Sequence, residues 1–96
     1  MNKNINFSTD PEVMAMLGGR LRALREGRGL SRDDVSGLTG LNASTIVRAE
    51  AGENPTLLTL IRLLRAYGSL GGLEGLVPES QVSPLALVRD RRESDG

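Results

Sequence analysis

At 96 residues the chain has room for one compact domain with short tails, which leaves little volume for a large catalytic cleft. It contains no Cys and no His, which removes disulfides, thiolate nucleophiles, histidine acid–base pairs and the usual zinc ligand sets. Lys and Arg number 12 against 12 Asp and Glu, and a formal net charge of zero by itself argues against a nucleic-acid partner. The distribution points the other way: residues 1–30 carry Lys3, Arg20, Arg22, Arg25 and Arg28 against Asp10, Glu12 and Glu26, so the positive excess sits in the first helical stretch. No segment approaches the roughly 20 continuous apolar residues that span a bilayer, and the first residues lack the basic-then-apolar order of a signal peptide. The expectation is a cytoplasmic protein with no membrane partner, no catalytic residues, no metal and no cofactor.

An N-terminal arm, 1–9, precedes the first element. Ser8, Thr9 and Asp10 offer capping side chains just before Pro11, a residue tolerated in a first helical turn, so a helix starts near Asp10 or Pro11. Met14, Leu17, Leu21 and Leu24 recur at steps of three, four and three, a single helical stripe that stops at Gly27 and Gly29. Gly18 and Gly19 weaken its middle, which implies either a close helix contact or a true start at Gly19. Ser31-Arg32-Asp33-Asp34 reads as a capping box with Asp in the place of Glu, opening a short helix from Arg32 to about Leu38.

Gly40 supplies the positive φ of a sharp turn, and Asn42 is a good N-cap for a third short helix ending at Gly52, with Ile46, Ala49 and Glu50 facing inward. Glu53-Asn54-Pro55 is a turn, after which Thr56 caps a fourth helix whose core face is Leu57, Leu60, Ile61 and Leu64, widened by Leu63 and Tyr67. Val35, Ile46, Leu38 and Leu41 complete the expected core. Leu70, Leu73, Leu76 and Val77 then demand burial in a short fifth helix or turn, and either close the monomer core or meet a second copy. The stretch GSLGGLEG lacks both the preceding strand and the GK[ST] of a phosphate-binding loop, so its glycines read as turn punctuation. Residues 78–96 form a tail that the fold does not need, with Ser83 and Pro84 able to start one more turn before a mixed charge run. The fold class is all-α, a compact bundle of about five helices occupying residues 10–77.

Two short helices joined at Gly40, with a capped residue two positions on and a longer helix before them, have the spacing of a helix-turn-helix, whose second helix enters the major groove. The stretches LRALREGRGLSRDDV, TGLNASTIVRAEAGENP and TLLTLIRLLRAYG strengthen that reading. From Leu21 to Gly68 the chain resembles the lambda-repressor-like helix-turn-helix family, often called the XRE family. By that resemblance Ala43, Ser44, Thr45, Val47 and Arg48 occupy the recognition-helix positions that meet DNA, and Arg32 occupies the phosphate-contacting start of the helix before it. Arg suits guanine O6 and N7, Ser and Thr reach base edges or phosphates, and Ala and Val make apolar contacts. The family favours Gln where Arg32 stands and a longer polar residue where Ala43 stands, which shifts weight toward charge and DNA shape. The resemblance and the edge position of Arg25 on the first stripe together imply a structural ion pair between Arg25 and Glu50.

The function implied is a sequence-specific DNA-binding transcriptional regulator, a homodimeric repressor on a palindromic double-stranded operator. A narrower alternative is an antitoxin resembling the HipB type, which binds operator DNA and a toxin partner through the apolar SPLALV segment of the tail. A third class, a pure protein-interaction module with no DNA role, is compatible with the zero net charge and a pI near 6.2, and a salt-dependent mobility shift on mixed genomic fragments separates it from the first two.

Overall fold

The computed structural model describes residues 5–80. Within them the chain is all helical: α1 (Asp10–Gly27), α2 (Arg32–Thr39), α3 (Ala43–Glu50) and α4 (Leu57–Ala66), with 3-10 segments at Ile5–Phe7 and Leu70–Gly75. The extra turn expected after Ser83, the charged end of the tail and the first four residues of the arm lie outside the described residues. Among the described residues no helix is long and apolar enough to cross a membrane.

Three of the four α-helices, α1, α2 and α4, start where a side chain takes over from the missing backbone partner. Thr9 closes α1 with a reciprocal box, its hydroxyl accepting from the Glu12 N–H at 3.3 Å while the Glu12 carboxylate accepts from the Thr9 N–H at 3.0 Å. Pro11 then sits in the first turn, where its missing N–H costs nothing. At the other end of α1, Arg28 donates to the Leu24 carbonyl at 3.3 Å, satisfying one of the orphaned acceptors. Thr56 caps α4, accepting from the Thr59 N–H at 3.1 Å.

Leu21 of α1, Val35 of α2, Ile46 and Ala49 of α3, and Leu63 and Tyr67 at α4 form the buried core, flanked by Leu24, Leu30, Leu41, Leu60, Leu64 and Ala66. The larger of these contribute about 1.5–3 kcal/mol each by leaving water. They join α1 to α3, α3 to α2 and α2 to α4, so α3 is held from two sides.

Gly18 shows why α1 runs unbroken through a weak helix former. A Cβ there would lie 2.5 Å from the Glu50 carbonyl oxygen and 2.9 Å from the Gly52 nitrogen. Gly52, at φ +77°, presents the reciprocal case, since its Cβ would lie 2.8 Å from the Met14 carbonyl oxygen. The backbones of α1 and of the end of α3 therefore approach closely at Gly18, the close contact offered as one explanation of the glycine pair, whereas a Cβ at Gly19 would meet nothing within 4 Å.

Two expectations about the core are corrected. Leu57 is 71% exposed and the buried face of α4 is instead Thr59, Leu63 and Tyr67, with Leu60, Ile61 and Leu64 half-buried. Because α4 is apolar on most sides, its period permits either stripe, and docking on α2 selects the second. Leu38 is 65% exposed, because α2 buries Val35 and turns its last residues outward at the junction. In the 3-10 segment and beyond it the apolar residues divide: Leu70 and Leu73 are half-buried, whereas Leu76 and Val77 are exposed.

Candidate nucleic-acid interface

The junction between α2 and α3 is fixed by side chains of α2 itself. Gly40 adopts φ +77°, and its N–H bonds to the Ser36 carbonyl at 2.9 Å. The Thr39 hydroxyl donates to the Val35 carbonyl at 2.7 Å and accepts from the Leu41 N–H at 3.1 Å, while the Ser36 hydroxyl donates to the Leu41 carbonyl. Three polar links thus close a turn of three residues and set the angle between the helices. Asn42 stands at the N-cap of α3 with extended backbone, but its side chain makes no capping hydrogen bond, so its amide is not committed to the helix. The start of α2 has its own reciprocal box. Ser31 Oγ accepts from the Asp34 N–H at 3.0 Å and Asp34 Oδ2 accepts from the Ser31 N–H at 2.8 Å; this backbone bond, and then the Ser31 hydroxyl, hold the Asp34 carboxyl below its ordinary range.

Along α3 the candidate contact residues fall into two groups. Ser44, Val47 and Arg48 are exposed, whereas Ala43 and Thr45 are half-buried at its flank. Thr45 and Arg48 also line a polar hollow with Glu53, Asn54, Pro55 and Thr56, so the loop after α3 continues the same surface. A helix presenting a hydroxyl, an apolar methyl surface and a guanidinium has the donor and contact set for reading base edges in a major groove.

Behind that face lies a buried cluster of charge. Arg25 Nε lies 2.7 Å from Glu50 Oε2 and Arg25 Nη2 lies 3.1 Å from Glu50 Oε1, a two-pronged pair whose side chains are 9% and 3% exposed. Arg25 Nη1 donates to the Leu30 carbonyl at 2.9 Å, so α1, the end of α3 and the loop before α2 meet at one guanidinium. Arg32, the first residue of α2, reaches the same carboxylate from the solvent side: Nη2 is 3.1 Å and Nε 3.2 Å from Glu50 Oε1, with the side chain 38% exposed. Burial pushes the Glu50 carboxyl up, but the hydrogen bonds and charges of Arg25, then those of Arg32, outweigh it and hold the group below the ordinary carboxylate range. The Glu50 hydrogen bond, opposed by burial, raises Arg25 in turn.

Sequence reasoning placed Arg25 with Glu50 and Arg32 near DNA, but did not connect Arg32 to Glu50. Eighteen positions separate those two residues, so no local period marks the pair. The hydroxyls of Ser36 and Thr39 were also passed over, although Ser and Thr close to a turn glycine are a readable signal for local backbone bonding. Among the described residues no group of three or more His, Cys, Asp and Glu side chains is placed to hold a metal ion.

A family model described as a helix-turn-helix domain matches residues 16–74, which include α2, the Gly40 turn, α3 and α4 entire. No curated protein and no solved structure matches the chain. With more than half of its length in that match and its two short helices locked across a left-handed glycine, the chain belongs to the helix-turn-helix domain family.

Proposed function

We propose that the chain is a sequence-specific DNA-binding transcriptional regulator of the lambda-repressor-like type, working in the cytoplasm as a homodimeric repressor on a palindromic operator. The observation that carries this reading is the exposed face of α3, where Ser44, Val47 and Arg48 stand clear on a helix whose opposite side is fully buried. In this reading Arg48 grips a guanine edge, Ser44 and Thr45 reach base edges or phosphates, and Ala43 and Val47 lie against thymine methyls. Arg32 meets a backbone phosphate. Residues 10–77 form the DNA-binding domain, with 1–9 as an arm and 78–96 as a tail.

A module this small gains affinity by placing two recognition helices on half-sites about 34 Å apart. Leu76 and Val77 remain exposed after Leu70 and Leu73 have turned toward the domain, and they are the residues assigned to the contact between two copies. Selection of bound fragments from random DNA tests the reading. Enrichment of a palindrome with half-sites one helical turn apart supports it, and no enrichment, together with no salt-dependent retention of any duplex, contradicts it.

A second reading, an antitoxin of the HipB type with a toxin partner, is favoured by one feature. An open groove of about 380 Å³ runs between Leu17, Leu21 and Leu24 of α1, Leu60 and Leu64 of α4, and Leu73 and Leu76. Apolar surface of this kind suits a protein partner. Stable co-purification with the product of an adjacent gene, together with loss of that gene product's toxicity, separates this reading from a stand-alone repressor.

A further inference from the structure

We infer that Glu50 is a positioning residue for DNA binding: it holds the Arg32 guanidinium at the edge of the interface, so that a backbone phosphate meets an arginine already oriented by the recognition helix. The inference rests on the DNA-binding reading above and adds the group that prepares one of its contacts. Three observations support it.

First, Arg32 is surplus to the burial of Glu50. Arg25 alone gives the carboxylate two close contacts, at 2.7 and 3.1 Å, and places its remaining nitrogen on the Leu30 carbonyl. A buried carboxylate needs one such partner to be compensated, and a second guanidinium leaves the cluster with one net positive charge. Second, that surplus charge faces outward. Glu50 is 3% exposed and Arg32 is 38% exposed, so the guanidinium spans the boundary between the buried carboxylate and solvent. Its Nε and Nη2 both point to the single oxygen Oε1, which among the described residues leaves Nη1 and the outer N–H of Nη2 to donate to a ligand. Third, one of the two neighbouring acids, Asp34, does not compete. The Asp34 carboxylate is turned back onto the Ser31 N–H at 2.8 Å and is occupied by the cap of α2.

Fixing a long side chain at an interface ordinarily costs entropy at the moment of binding. Here the carboxylate at the end of α3 orders the chain of Arg32 during folding, and it does so from the helix that reads the bases. The phosphate contact and the recognition helix are thereby held in one geometry, which Lys at position 32, a point charge without a planar fork, does not reproduce.

The test is a double-mutant cycle on affinity for a pool of random-sequence duplexes, measured across a salt series alongside thermal unfolding of each protein. Arg32→Gln is expected to weaken binding on all sequences and to lower the salt slope by about one. Glu50→Asp, which shortens the carboxylate, is expected to weaken binding several-fold when Arg32 is present and to change nothing further when Arg32→Gln is already in place. An equal loss in both backgrounds, or an unchanged slope for Arg32→Gln, overturns the inference, since Glu50 then acts only through the fold. Should Glu50→Asp fail to fold, Arg32→Lys decides instead: a several-fold loss at an unchanged slope supports positioning by the fork, and wild-type affinity overturns it. A wild-type protein without salt-dependent binding to the pool overturns the DNA-binding reading itself, and the positioning role with it.

Discussion

The two faces of α3 have different duties. Inward, Ile46 and Ala49 are sealed in the core and Glu50 is clamped by Arg25, while the helix end rests on α1 through Gly18 and Gly52. Outward, Ser44, Val47 and Arg48 have no part in the core. A helix of eight residues has almost no stability of its own, because isolated helices shorter than about 12–15 residues are marginal in water. Its placement therefore comes from the inward face and from the turn that joins it to α2. Substitutions on the two faces should separate cleanly into those that unfold the domain and those that change its binding.

The largest effect is expected at the clamp. Arg25→Ala leaves the Glu50 carboxylate buried without its main partner, and denaturant unfolding should show a loss of about 3–5 kcal/mol. A loss below about 1 kcal/mol would mean that Arg32 alone compensates the carboxylate. Next in size is Gly18→Ala. The added methyl meets backbone atoms of Glu50 and Gly52 rather than a side chain that can move aside, and overpacking of this kind costs about 1–3 kcal/mol, against a gain of about 1 in helix propensity. A net stabilisation would show that α1 and α3 can part without cost.

The same clamp makes stability depend on pH in one direction. A carboxyl whose folded pKa is depressed contributes stability that is fully present above its unfolded value, near 4.5 for Glu50, and lost as pH falls through the lower folded value. Asp34, also depressed, acts with the same sign. With no His in the chain, the unfolding temperature is expected to stay level across the neutral range and to fall in acid, a profile that a thermal melt series checks directly. A step between pH values near 6 and 7 would contradict it. The smallest effect is expected at Tyr67, whose hydroxyl is buried without a hydrogen-bond partner among the described residues and whose pKa is raised by burial and then by the nearby Glu50 charge. Tyr67→Phe should shift stability by no more than about 1 kcal/mol, in the stabilising direction, because it removes an uncompensated polar group. A clear loss in a melt would reveal a partner for the hydroxyl.

Much of the frame was legible in the sequence because it is written in local chemistry. The Ser31 and Asp34 box, the Thr56 cap, the glycine at 40 and the Met14 to Leu24 stripe each concern residues within a turn or two of one another. What was not legible depends on distant packing. In α4, LLTLIRLLRA offers two overlapping apolar stripes, and its docking angle against α2 decides that Leu57 of the expected face is left exposed. Leu38 was expected inside for the same reason, since an apolar residue at the end of a short helix lies at the core or beyond it according to how the turn bends. At the site, the positions facing outward followed from helical period and family resemblance. The hold of Glu50 on Arg32 depends instead on three helices meeting, and no spacing within one helix shows it.

Arg48 is the long cationic side chain on the outward face of α3, and its replacement by Ala tests most directly whether that face reads DNA. The measurement is affinity for a selected site and for random duplexes, each over a range of salt, for both proteins. If Arg48 is bidentate to a guanine, Arg48→Ala costs about 1–3 kcal/mol on the selected site, relaxes preference at one base pair, and leaves random DNA bound nearly as before. Equal weakening on every sequence, with the salt slope lowered by about one, would make it a phosphate contact. Unchanged affinity on both would remove Arg48 from the interface and contradict the assignment of this face of α3 to the groove.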